Sequence, residues 1–404
     1  MIKQKQLVPK RRFEGFKDEW KTKIFDELGS FGKTYAFSRA NEGYGVYSHV
    51  HYGDIHVKYN GVINQNTVVP SLKVKGDFET LKKNDIVIAD ASEDYIDLGK
   101  TVVIEEPSNR KLIAGLHTFK FTPSEYLNAK FYLYYSQSDL FKKFSYKKGT
   151  GISVFGISKV NMSKMKLNIP LKNEQQKIGE FFKHLDGMIA LEQRKIDKTL
   201  SLKSAYLAEM FPAEGERVPK RRFAGFTDEW EEQKLEGVVQ ITMGQSPNSN
   251  SYTDNPRDYI LVQGNADMKN NRVFPRVWTT QVTKKANKGD LILSVRAPVG
   301  DVGKTDYDVV LGRGVASIKG NEFIFQLLIK MKNDNYWSNL STGSTFDSIN
   351  SNDIKEALVL IPESEEQIKI GEFFNKIDNS IVNYTQKLEK LKATKQAYLH
   401  EMFV

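Results

Sequence analysis

Residues Asn173 to Phe211 read NEQQKIGEFFKHLDGMIALEQRKIDKTLSLKSAYLAEMF, and residues Glu365 to Phe403 read EEQIKIGEFFNKIDNSIVNYTQKLEKLKATKQAYLHEMF. The second stretch keeps IGEFF, the aspartate four residues later (Asp186, Asp378) and the closing AYL-EMF in register, so the chain is duplicated. Apolar side chains recur at three- and four-residue steps: Ile178, Phe181, Leu185, Ile189, Ile196 and Tyr206 in one copy, Ile370, Phe373, Ile377, Ile381, Leu388 and Tyr398 in the other. That period draws a single stripe along a helix. Asn173 with Gln176 and Ser364 with Gln367 offer N-terminal capping boxes just after Pro170 and Pro362, and Pro212 closes the first copy. With no interior proline, each copy predicts a helix of roughly 39 residues, about 58 Å long at 1.5 Å per residue.

A stripe that long needs cover. Two stripes of one pattern can bury each other as an antiparallel pair if the halves are related by a two-fold-like axis, with Ile178, Phe181, Leu185 and Ile189 of one copy and Ile370, Phe373, Ile377 and Ile381 of the other as the pairing residues. Glycine inside a helix costs about 1 kcal/mol relative to alanine, so Gly179 and Gly371 at one register predict that the two helix backbones approach there. The alternative is a pair of ordinary amphipathic helices, each packed on its own domain.

A second phrase is also doubled. VPKRRFEGFKDEW, Val8 to Trp20, returns as VPKRRFAGFTDEW, Val218 to Trp230. Its Phe13, Phe16 and Trp20 are expected to plug a surface while Lys10, Arg11 and Arg12 stay in water. The order lead phrase, globular segment, long helix therefore occurs twice. The expected division is 1–20 lead segment, 21–168 first globular domain, 169–211 first long helix, 212–230 linker and second lead segment, 231–360 second globular domain, 361–404 second long helix.

The globular segments read as mixed α/β modules, giving an α+β class with internal pseudo-two-fold duplication. Strands are predicted at Gly45–Val50, Ile55–Val57, Asp85–Ala89 and Thr101–Ile104 with a helix over Tyr126–Phe144, then at Tyr259–Val262, Asp290–Val295 and Val309–Leu311 with a helix near Glu322–Lys332. The modules diverge where their flanks agree. Only echoes remain, such as KKNDIVIAD against NKGDLILSV, LGKTVV against VGKTDY and KGTGISVFGIS against STGSTFDSIN. Two related readers of different targets would show this pattern, and so would drift between structural duplicates.

Composition sets outer limits. With 404 residues, 40% of them hydrophobic, the chain can hold two or three cored domains. The absence of cysteine excludes disulfides, zinc ribbons, iron–sulfur sites and thiol nucleophiles. No run approaches the roughly 18 apolar residues of a membrane span, and MIKQKQLVPKRR lacks the apolar centre of a signal peptide, so a soluble cytoplasmic protein without membrane contact is expected. The net charge of +9, concentrated in residues 1–211, leans mildly toward a polyanionic partner.

Catalytic signatures are scarce. The triplets Gly99-Lys100-Thr101 and Gly303-Lys304-Thr305 lack the first glycine of a phosphate loop, with Asp94 and Pro298 standing there, and read better as turns at strand edges. No Asn-Pro-Pro-aromatic tetrapeptide, HExxH or Gly-x-Ser-x-Gly occurs, and His49, His51 and His56 have no acidic ligand set beside them. No metal site is expected.

Nucleic-acid features are stronger. In the first module, FGKTYAFSRANEGYGVYSH supplies Lys33, Tyr35, Arg39, Tyr44 and Tyr47, and DLFKKFSYKKGTGIS supplies Lys147, Lys148, Thr150 and Ser153. In the second, four loops supply Gln245, Ser246, Tyr252, Gln263, Asn265, Lys269, Arg272, Arg296 and Arg313, and Gln, Asn and Arg are the side chains that make two-pronged contacts with adenine and guanine.

Taken with PKRRFEGF and Trp20, PKRRFAGF and Trp230, LKKNDIVIA, NKGDLILSVRAPVGDVGK, STGSTFDSI, IPLKNEQQKIGEFFKHLD and IPESEEQIKIGEFFNKID, these features make the chain resemble the specificity subunit of type I restriction–modification enzymes, staphylococcal members in particular. The first module departs from the RAPVG pattern, with Ala91 to Asp97 in its place. The resemblance implies a non-catalytic reader of double-stranded DNA in which two target-recognition domains, separated by two long antiparallel helices, each read half of a bipartite asymmetric site. It implies two methyltransferase subunits and two restriction subunits as partners. S-adenosylmethionine, ATP and magnesium would serve the complex, with no cofactor bound by this chain. The competing readings are a coiled-coil scaffold, another DNA-binding protein outside restriction–modification, and a stand-alone nuclease or methyltransferase.

Overall fold

A computed structural model describes residues 7–107, 110–340 and 347–404. Residues 341–346, which carry most of the STGSTFDSI stretch, lie outside the described residues. Two continuous helices, Lys172–Met210 and Ser364–Glu401, dominate the chain. Each is shared out: one compact unit comprises residues 1–193 and 386–404, the other residues 194–385. Every unit therefore holds the start of one long helix and the end of the other.

Within the first unit the helices run antiparallel. Phe181 meets Tyr398 edge-on at 4.9 Å, Asp186 accepts Lys395 at 2.6 Å and Glu192 accepts Lys387 at 2.7 Å. The second unit repeats the pattern, with Phe373 edge-on to Tyr206 at 4.9 Å, Asp378 accepting Lys203 at 2.6 Å and Lys195 over the ring of Tyr384. The doubled aspartate thus clasps a lysine of the opposite helix, and it also holds the module beside it, through Tyr134 Oη to Asp186 at 3.0 Å and Gln326 Nε2 to Asp378 at 2.8 Å.

Pairing and packing on the module both occur, because each helix buries two sides. Ile178, Leu185 and Ile370 are buried, whereas Phe181, Ile189, Phe373, Ile377 and Ile381 are half-buried. Phe182 and Phe374, one position beyond the predicted stripe, are fully buried against the modules. In the first unit Phe182, Trp20, Phe131 and Phe403 form one cluster, with Trp20 5.8 Å from Phe131 and Phe403 6.0 Å from Phe182. Phe374, Trp230, Phe323 and Phe211 are its counterpart in the second. Ring pairs of this kind add about 0.5–1.5 kcal/mol each beyond the area they bury.

Three details differ from the sequence reading. The helices begin at Lys172 and Ser364 without the predicted capping boxes; instead Gln175 and Gln367, at equivalent positions, donate to the carbonyls of Pro170 and Pro362 at 3.0 Å each. The two helical glycines face the modules, not the partner helix: a Cβ on Gly179 would lie 2.8 Å from Lys130 Cβ and 3.2 Å from Phe131 N, and one on Gly371 2.9 Å from Glu322 Cβ. Finally, Arg12 and Arg222 do not stay wet. They pair in two-pronged fashion with the buried Glu174 and Glu366 at 2.7 and 2.8 Å, which ties each lead phrase to the first turn of a long helix.

The glycine assignment has a clear test. Gly179→Ala is expected to lower stability by about 1–3 kcal/mol through overpacking, against a helix-propensity gain of about 1 kcal/mol. Gly187→Ala, with nothing within 4 Å of its added methyl, is expected to raise it by about 1 kcal/mol. Urea-unfolding midpoints of the two variants should move in opposite directions; movement together in either direction would remove the close approach.

Each module is closed by its own ends. Lys21–Ile24 pairs with Lys166–Ile169 and Glu231–Lys234 with Leu358–Ile361, both antiparallel. Between them the first module holds a five-stranded sheet centred on Ile86–Ala89, flanked by Thr118–Pro123 and Thr101–Ile104, and a three-stranded sheet in which Glu42–Val50 runs parallel to Lys111–Ala114. The second module repeats this plan with Leu291–Ser294 between Val315–Lys319 and Val302–Lys304, and Tyr259–Val262 parallel to Val309–Leu311. The segment read as strand Ile55–Val57 is part of a helix, Tyr52–Val57, because the His51 ring accepts the Gly53 amide at its start. The long helix read over Tyr126–Phe144 is two helices, Ala129–Tyr135 and Asp139–Lys148, since Ser138 caps the second and so ends the first.

Candidate nucleic-acid interface

The sheet ladders place the loops of the two modules in correspondence where their sequences cannot. Tyr35 N donates to Ala114 O in the first module, and Gln245 N donates to Leu311 O in the second. Gly115 N donates to Val50 O, as Gly312 N does to Val262 O. Asp90 N donates to His117 O, as Val295 N does to Gly314 O, and Ile157 N to Asp90 O matches Ile349 N to Val295 O. Tyr35 thus corresponds to Gln245, His51 to Gln263, Asp90 to Val295, Ala91 to Arg296, and Leu116-His117 to Arg313-Gly314.

In the second module these loops gather five of the predicted contact residues. Ser246 Oγ accepts the Arg313 amide at 3.1 Å, Gln263 Nε2 donates to Tyr252 Oη at 2.9 Å, and Gln245 is held beside them through its backbone. Close passage of the chain at Gly312, where a Cβ would lie 3.0 Å from Gln263 Cα, brings the Arg313 loop to Gln263. Arg296 follows Val295, which is bonded to Gly314, and its side chain is exposed, as is that of Arg313. The result is a surface of amide, hydroxyl and guanidinium groups at strand ends. Asn265 opens the short turn after Gln263. Lys269 and Arg272 lie elsewhere, on a hairpin at the edge of the six-stranded sheet, where Arg272 is paired with Asp306.

The first module distributes its predicted residues differently. Tyr47 is buried against Phe78, and Tyr35 packs on the same ring while its hydroxyl accepts the Glu79 amide at 2.7 Å. Lys33 is exposed next to them, with its amide on Glu79. Arg39 is engaged by Asp54 at 2.9 Å and Glu42 at 3.1 Å. Burial pushes the Asp54 carboxyl up, but hydrogen bonds from Arg39 and Lys58 hold it below the usual carboxylate range. Tyr44 is fully exposed. Lys147, Lys148, Thr150 and Ser153 are all exposed on a separate helix end and the loop after it.

Residues that the sequence did not single out for nucleic-acid contact occupy the corresponding loops: His51, Tyr52, Asp90 and His117. Tyr52 lies tilted beside His51 at 4.7 Å and stands edge-on to His117 at 5.3 Å, and His117 Nδ1 lies 3.2 Å from Asp90 Oδ1. Burial pushes the Asp90 carboxyl up, with the His117 ring pulling it back. Burial also lowers His51, with Arg39 adding to the effect. The signal that finds these residues is ladder register, which no local pattern carries.

Comparison with known proteins fits this doubled frame. The family model described as the type I restriction modification DNA specificity domain matches residues 17–201 and again 227–393. The chain belongs to that family. Specificity subunits are non-catalytic, so this chain is not an enzyme. It is similar to the putative type I restriction enzyme MjaX specificity subunit of Methanocaldococcus jannaschii, 26% identical over 342 residues that cover 80% of this chain and 79% of that protein. The MjaVIII specificity subunit of the same organism is 22% identical over 292 residues, covering 67% and 68%. Among solved structures, the type I S subunit from M. genitalium shares the fold with a TM-score of 0.65 at 14% identity, covering 98% of this chain and 99% of that one. A chain from a structural study of type I restriction–modification complex assembly shares it with a TM-score of 0.55 at 21% identity, covering 94% and 96%. No described helix is long and apolar enough to cross a membrane.

Proposed function

We propose that this specificity subunit reads a bipartite, asymmetric DNA site with one module per half-site. The observation that carries the reading is the correspondence of loops on a common frame: equivalent backbone positions hold Gln245, Gln263, Arg296 and Arg313 in one module and Tyr35, His51, Ala91 and Leu116 in the other. A shared frame with unlike side chains gives two half-sites of unlike sequence. The predicted contact residues divide on this reading. Gln245, Ser246, Tyr252, Gln263, Arg296 and Arg313 face base edges, while Lys33, Lys147, Lys148 and Lys269 neutralise phosphates.

The length of the paired helices sets the number of unread base pairs between the half-sites. Two methyltransferase subunits dock on the repeated helical regions and modify each half-site with S-adenosylmethionine, and two restriction subunits join for ATP- and magnesium-dependent cleavage. None of these cofactors binds this chain, and the complex works in the cytoplasm. The test is to assemble the chain with its methyltransferase subunits and map methylated positions on random DNA. A two-part motif is expected, with a gap that lengthens when one turn is added to both long helices. A single continuous motif, or a gap indifferent to helix length, would refute the assignment.

A further inference from the structure

The two modules differ in chemistry at the framework position held by Asp90 in one and Val295 in the other. Where the second module has Val295, 3% exposed and part of its core, the first has Asp90 with the same backbone bonds. The fold does not require a carboxylate there, and partial burial makes one costly. One of its oxygens meets His117 Nδ1 at 3.2 Å; the other has no protein partner among the described residues. His117 is 52% exposed and Asp90 24% exposed, so the pair opens to the surface.

His117 is held at φ +52°, and the other four non-glycine residues with positive φ among the described residues are all asparagines. A left-handed conformation is unfavourable for a non-glycine residue and persists only where its surroundings impose it. Here it accompanies a ring that touches both Tyr52 and Asp90. A negative group facing a polyanion is unfavourable unless it accepts a hydrogen bond from the nucleic acid. In the major groove the donors are the exocyclic amino groups of cytosine and adenine.

We propose that Asp90 is a specificity-determining residue of the first module, accepting the amino group of one cytosine or adenine in its half-site, with His117 as the positioning residue that fixes the carboxylate. The same carboxylate repels the acceptor edges of guanine and thymine at that position. This inference rests on the half-site reading proposed above.

The test maps methylation motifs for the complete complex carrying the unaltered chain, Asp90→Asn, Asp90→Ala or His117→Ala. Asparagine keeps the shape while adding a donor, so Asp90→Asn should admit guanine or thymine at one position of one half-site and leave the other half unchanged. Asp90→Ala should cost about tenfold in preference at that same position, and His117→Ala should weaken the same preference. A motif unaltered at every position in all three variants overturns the proposal. So does an even loss of methylation across all sites without any change of motif, which is what a structural role would produce. If the unaltered complex itself yields no two-part motif, the half-site reading fails, and this inference falls with it.

Discussion

Arg222→Ala is expected to lower stability by about 3–5 kcal/mol, the usual consequence of removing one partner from a buried ion pair. Its partner Glu366 is 0% exposed in the first turn of the second long helix, and the guanidinium meets both carboxylate oxygens at 2.7 and 2.8 Å. Truncation leaves that carboxylate buried and unpaired. The positive end of the helix dipole offsets only a fraction of this cost, about 0.3–1 kcal/mol. Arg222→Lys should rescue little, because a point charge cannot make the two-pronged contact. Urea unfolding measures the loss, and hydrogen exchange should place it among residues 194–385. A loss below about 1 kcal/mol, the value of a surface pair, would show that the lead phrase does not anchor the unit. The equivalent Arg12 and Glu174 should behave alike in the other unit, since their geometry is the same.

Much of this architecture was legible in the residues. The doubled helix phrase carried both length and period, and the antiparallel pairing followed from two like stripes needing cover with the halves related by a two-fold-like axis. What Gly179 and Gly371 approach was not legible: a helical glycine announces that something comes near without naming it, and the neighbour is the first turn of a module helix. Phe182 and Phe374 escaped the stripe because a helix covered on two sides has no single apolar face. Ile55–Val57 looked like a strand by its β-branched residues, yet the His51 cap four residues before Ile55 starts a helical turn.

The candidate interface divides along the same line. In the second module, Gln, Ser and Arg in glycine-rich loops signalled polar recognition, and the fold draws Gln245, Ser246, Tyr252, Gln263 and Arg313 together. In the first, tyrosines that looked available divide between core and surface: Tyr47 is buried, Tyr35 is committed to Glu79, and Tyr44 is free to solvent. Aromatic side chains serve cores as readily as surfaces, so their type alone does not choose. Asp90 and His117 lie 27 residues apart in sequence. Only the antiparallel pairing of Ile86–Ala89 with Thr118–Pro123 makes them neighbours.

The second large effect concerns recognition itself. The modules begin and end at matching two-stranded closures, Glu231–Lys234 with Leu358–Ile361 in the second. Residues 231–360 lie between the two long helices in sequence, so they can be exchanged for the corresponding segment of another specificity subunit with both long-helix sequences intact. The most direct measurement is the methylation motif of a complex carrying that exchange. One half of the motif should be replaced entirely, while the other half and the gap stay as they were. A motif altered in both halves, or in neither, would contradict the assignment of one half-site to each module.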